Sequence, residues 1–116
     1  MNVAEAVQKI EGTIVAGSAA SRREILGGYA SDLLSDVMGN SREGDVWITL
    51  QKHVNIVAVA QLNELAAIVL VNGRKPEPET MERAEKKGIP IISTPLQAFE
   101  VIGILYNLDI HGRRSV

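Results

Sequence analysis

The stretch that decides the fold is DVWITLQKHVNIVAVAQLNELAAIVLVNG, Asp45 to Gly73. It opens with a short apolar run, Val46-Trp47-Ile48-Thr49-Leu50, which reads as a strand. A polar loop, Gln51-Lys52-His53, follows. Ile56 to Leu62 reads as a helix, and Ala66-Ala67-Ile68-Val69-Leu70-Val71 as a second strand ending in Asn72-Gly73. A strand is the rival reading for Ile56 to Leu62, because Ile and Val favour strands. Helix is preferred because two parallel strands need a crossover between them. Strand, loop, helix, strand makes a βαβ unit, and ligands of such units usually sit at the carboxyl ends of the strands.

Working outward toward the N-terminus, Val3, Ala6, Val7 and Ile10 recur at helical spacing behind Asn2, a fair N-cap. Thr13 to Ala16 reads as a strand, Ser18 to Glu24 as a polar loop, and Ile25-Leu26 as the opening of another short strand. Ser31 is expected to cap the next helix, with Asp32 in its first turn and Leu33, Leu34, Val37 and Met38 on its apolar face. Toward the C-terminus, Pro78 suits a first helical turn and Gly88 a helix end, with acids early and lysines late between them. Ile89 to Ile92 is a strand. Thr94-Pro95-Leu96-Gln97 reads as a capping box opening a last helix, whose Leu96, Phe99, Gly103 and Tyr106 share one stripe. The expected fold is a three-layer α/β/α sandwich with a mixed, mainly parallel sheet of about five strands. It occupies residues 1–110 as one domain, and 111–116 reads as a tail.

Composition narrows the function. The 116 residues fit one core, and with only four aromatic side chains that core must be built from Val, Ile, Leu and Ala. A net charge of −2 gives no general pull toward nucleic acid or anionic membrane. The absence of cysteine excludes disulfides, thiolate catalysis and thiolate-bound metal. Neither a secretory leader nor a membrane-length apolar run is present, so a cytoplasmic location is expected. No Gly-Lys-Ser/Thr string follows Gly27-Gly28, so there is no phosphate loop.

Thr49 to Gly73, continuing to Thr94, resembles the DRTGG domain family. The features that carry the likeness are the strand ending in Thr49, the loop into Asn55-Ile56-Val57-Ala58, and Leu65-Ala66-Ala67-Ile68-Val69-Leu70. Asn72-Gly73 and Gly88-Ile89-Pro90-Ile91-Ile92-Ser93-Thr94 complete it. Gly28-Tyr29-Ala30-Ser31-Asp32-Leu33-Leu34-Ser35-Asp36-Val37 is similar to stand-alone members. The likeness extends more distantly to the N-terminal domain of HPr kinase and the middle region of phosphotransacetylases. Lys52-His53-Val54 stands where the Asp-Arg-Thr of the family name falls. The resemblance implies a mixed α/β sandwich and a regulatory or interaction role, without a reaction.

The candidate ligand site is the set of strand-end residues Thr49, Gln51, His53, Asn55, Asn72, Gly73, Ser93 and Thr94. Parallel strands would gather them on one edge, with helix starts at Asn55 and Thr94 offering N–H groups to an anion. Their plainer reading is that they cap helices and turn the chain. His53 has no nearby carboxylate or second histidine and reads as loop-anchoring. Asp32 and Asp36, four apart, would share a helical face, though nothing completes a catalytic set. No catalytic residue, metal ligand or cofactor is assigned. The expected function is a non-catalytic regulatory module that binds a nucleotide or phosphorylated small molecule. It is expected to act as a homodimer through apolar surface around Tyr29, Leu33, Leu34, Val37 and Met38. The alternative is a protein-interaction module with no ligand.

Overall fold

The structure, a computed structural model, describes residues 1–113. Five strands form one sheet in the order β1-β5-β4-β3-β2. They are β1 (Thr13–Ala16), β2 (Gly27–Ala30), β3 (Asp45–Thr49), β4 (Ala67–Leu70) and β5 (Ile91–Ser93). β2, β3, β4 and β5 run parallel, and β1 joins β5 antiparallel. The helices are α1 (Val3–Lys9), α2 (Leu34–Asn40), α3 (Asn55–Leu62), α4 (Pro78–Lys87) and α5 (Ala98–Asn107).

Side-chain alternation along the strands sorts the core into two halves. Val46, Ile48, Ala67, Val69 and Ile92 meet α1 and α5 on one face. Trp47, Ile68, Leu70 and Ile91 meet α2, α3 and α4 on the other. Parallel strands buried on both faces read as unbroken apolar runs, and every residue of β3 and β4 is buried. The expected three-layer sandwich is therefore observed.

Several boundaries differ from the sequence reading. The second strand is Gly27–Ala30 and not Ile25-Leu26. Its two glycines look unlike a strand, but Gly27 has no room for a side chain. A Cβ there would lie 2.8 Å from Asp45 Oδ1 and 2.9 Å from the His111 carbonyl. α2 starts at Leu34, three residues after the expected cap Ser31. α5 starts at Ala98, after Gln97, so Thr94 caps no helix. Within α5 the expected stripe has the wrong phase. Val101 and Leu105 are buried, whereas Phe99 is 81% and Tyr106 58% exposed. The firmest local signals hold: α4 begins at Pro78 and ends on Gly88, which is left-handed at φ 66°.

His111 and Arg113, read from the sequence as tail, are bonded to the sheet. The His111 carbonyl accepts from the Gly28 N–H at 3.1 Å. Arg113 donates to Asp45 Oδ1 at 2.6 Å, while the Arg42 N–H donates to Asp45 Oδ2 at 2.8 Å. Residues 114–116 lie outside the described residues. Asp45 is 3% exposed, and a buried carboxylate that loses its charged partner is costly. Arg113→Ala should lower stability by about 2 kcal/mol in urea unfolding, with little change in the slope of the transition.

Candidate functional site

The carboxyl ends of β2, β3, β4 and β5 lie on one edge of the sheet, as parallel pairing requires. The helices that follow β2, β3 and β4 pack on the Trp47 face, and α5, which follows β5, packs on the Val46 face. The crossover direction thus reverses between β4 and β5, the position where a crevice opens in such sheets. Here the two loops are laced together instead. The Asn72 N–H donates to the Leu96 carbonyl at 2.9 Å and the Gly73 N–H to the Thr94 carbonyl at 2.8 Å. Ser93 Oγ donates to the Arg74 carbonyl at 2.6 Å. Asn72 and Gly73 both adopt left-handed backbone, at φ 59° and 69°, which turns β4 sharply into this contact.

Thr94 is fully buried. Its hydroxyl donates to the Ile10 carbonyl at 2.7 Å and accepts from the Leu96 N–H at 3.1 Å. It ties the end of α1 to the loop after β5. A buried carbonyl that loses its donor is penalised. Thr94→Val, which keeps the shape and removes the hydroxyl, should cost about 1–3 kcal/mol of unfolding free energy by urea titration.

His53 and Asn55 sit at the start of α3, on the far side of the β3 loop. The Asn55 N–H donates to His53 Nδ1 at 3.2 Å, so His53 serves the first turn of the helix. Asn55 is the first helical residue and makes no side-chain cap. The sequence placed the cap one residue late because Val54, the true boundary, carries no capping group. The same loop is held from the other side, where the Lys52 carbonyl accepts from the Glu77 N–H and from Thr80 Oγ1.

Thr49 and Gln51 meet a residue that the sequence assigned elsewhere. Asp32 precedes α2 and turns toward the end of β3. Its Oδ1 accepts from Thr49 Oγ1 and from the Leu50 N–H, each at 2.7 Å. Gln51 Nε2 donates to the Asp32 carbonyl at 3.0 Å. Beside this knot is an open depression of about 210 Å³, lined by Ser31, Asp32, Ile48, Thr49, Val71 and Ala98 among others. Ala98 begins α5, so the helix end that carries free N–H groups borders it. No local sequence signal marks Asp32 for this role, because its partner Thr49 is brought to it by the pairing of β2 with β3.

Asp32 and Asp36 do not act as a pair. Asp36 accepts from the Tyr29 hydroxyl at 2.8 Å and from Asn40 Nδ2 at 3.0 Å. Hydrogen bonds from Tyr29 and then Ser31 hold its carboxyl below the usual range. The bond to Asp36, then burial, pushes the Tyr29 phenol up. Folding favours the charged Asp36, so that contribution is present above about pH 4 and lost as pH falls through the lowered value. Folding favours the neutral phenol, so its contribution holds below about pH 10 and is lost as pH rises through the raised value. The stability gap between the wild type and Tyr29→Phe should be flat from about pH 5 to 9 and shrink at both extremes. Urea titrations across pH would read it.

Among the described residues no cluster of His, Cys, Asp and Glu could hold a metal ion. None of their helices is long and apolar enough to cross a membrane.

The profile of the DRTGG domain matches residues 5–108. The chain belongs to the DRTGG domain family. No curated protein sequence matches it. Among solved structures, it is similar to the crystal structure of the CBS and DRTGG domains of the regulatory region of Clostridium perfringens pyrophosphatase. That region is complexed with its activator, diadenosine tetraphosphate. The TM-score is 0.72 at 16% identity, over 90% of this DRTGG chain and 45% of that one. At this identity the likeness is one of fold, and the chain spans less than half the length of the pyrophosphatase region.

Proposed function

We propose that this DRTGG domain is a non-catalytic regulatory module of the cytoplasm that binds a nucleotide-like ligand and works as a homodimer. The observation that carries the ligand reading is the depression at the ends of β2, β3 and β4, bordered by Asp32 and by the start of α5. Its floor at Ile48 and Val71 suits an apolar ring. The Asp32 carboxylate suits ribose hydroxyls, and the α5 terminus suits a phosphate. The fold it shares with a regulatory region that carries a dinucleotide activator supports the same reading. Of the residues expected to touch ligand, Thr49 lines the depression and Gln51 bonds to its rim at Asp32. Asn72, Gly73, Ser93 and Thr94 serve the laced loops, and His53 and Asn55 serve α3. A second reading, an interaction module without a small ligand, is favoured by the exposed Phe99, Ile102 and Tyr106.

A thermal-shift screen of mononucleotides, dinucleotides, phosphorylated metabolites and divalent cations tests the proposal. A ligand at a hundred times its dissociation constant stabilises by about 2.7 kcal/mol, or roughly 10 °C for a domain this size. The shift should appear with a nucleotide or dinucleotide and be lost in Asp32→Ala. No shift across the panel, with a cooperative transition intact, overturns the ligand reading in favour of the second.

A further inference from the structure

α5 carries an unpartnered face. Phe99, Ile102, Gly103 and Tyr106 recur at three- and four-residue spacing, and all are exposed. Phe99 is 81%, Tyr106 58% and Ile102 39% accessible. Beside this ridge runs an apolar groove of about 80 Å³, floored by Gly28, Ala30, Val46 and Ile48 and walled by Ile102, Leu105 and Tyr106. The groove exists because the β2 positions on this face are Gly28 and Ala30, too small to fill the space between the sheet edge and α5.

Gly103 is the second observation. Glycine inside a helix weakens it relative to alanine. Within its own chain nothing lies within 4 Å of where a Cβ on Gly103 would sit. The fold itself therefore has no use for a missing side chain there, whereas a second helix crossing at that point would.

We infer that α5 pairs with α5 of a second copy of this chain, crossing antiparallel about a two-fold axis near Gly103. Each ridge then enters the groove of the other copy. A two-fold interface must be self-complementary, and a ridge beside a groove of similar length and chemistry on one face meets that condition. Antiparallel crossing sets the positive end of each helix dipole beside the negative end of the other.

The area is also sufficient. Large aromatic side chains bring roughly 150–250 Å² each, so the ridge and groove together offer on the order of 400 Å² of apolar surface per copy. A standard interface takes about 800 Å² per partner, with about 65% of it apolar in homodimers. This face supplies most of that apolar share. It gives a location to the second copy in the functional reading above. The α2 residues Leu33 and Met38, expected from the sequence to make the contact, are exposed at 64% and 45% but have no comparable groove beside them.

Sedimentation of the full chain without nucleotide tests the inference, so its failure is separate from failure of the ligand screen. At about 100 μM, far above a micromolar dissociation constant, the wild type should sediment at twice the monomer mass. Gly103→Leu and Phe99→Glu alter open surface, so each should keep the native circular dichroism spectrum. Each should also raise the dissociation constant at least about thirtyfold, the loss expected for a hot-spot residue. Met38→Glu, on α2, should leave the dimer intact. A wild type that stays monomeric overturns the inference and leaves the face to another domain or partner. Dimers that persist in both folded α5 variants, or that dissociate in Met38→Glu, overturn it as well.

Discussion

A strand covered on both faces has nowhere to send its polar ends except to other parts of its own chain, and β3 lives under that constraint. All five of its residues are buried, including a carboxylate at one end and a hydroxyl at the other. Asp45 is satisfied by Arg113 and the Arg42 backbone, and Thr49 by Asp32. The first tie draws the C-terminal segment across the start of β2, where only Gly27 lets it approach. The second pulls the segment between β2 and α2 over the end of the sheet, and thereby shapes the rim of the depression. Even the tryptophan of this strand obeys the rule, its indole N–H donating to the Ser31 carbonyl at 2.8 Å.

The fold class was legible because its signals are local. The unbroken apolar run of β4, the proline and glycine bracketing α4, and Asn2 before α1 each act within a few residues. Asn2 even completes the capping box with Glu5. What misled was tertiary in origin. Gly27-Gly28 reads as a turn until the C-terminal segment and Asp45 are known to crowd it. Thr94 reads as a cap, yet its hydroxyl goes to Ile10, far away in sequence. The α5 stripe was put in the wrong phase because apolar residues occupy nearly the whole helix, and periodicity alone cannot say which face is covered.

The site was half legible for a related reason. Parallel strands were enough to gather polar loops on one edge. They could not say which loops would bind one another. The loops after β4 and β5 meet at the reversal of crossover direction and spend their backbone groups on each other, so the open space lies one strand over, toward β2. There the decisive residue is Asp32, which looked like the start of a helix and instead joins two strand ends.

The sheet order also sets a timetable for synthesis. β2, β3, β4 and β5 are neighbours in both sequence and space, so each can dock as soon as the helix before it emerges. β1 has no such neighbour: Thr13 pairs with Ser93. The first segment made must therefore wait until nearly the whole chain has left the ribosome. Contacts this distant in sequence form late and slow the search for the native state. During that interval the antiparallel edge of β5 has no cover, and the apolar side of α1 has no core to meet. A chaperone that holds the nascent N-terminus would act at the step where this topology is most exposed to misassociation.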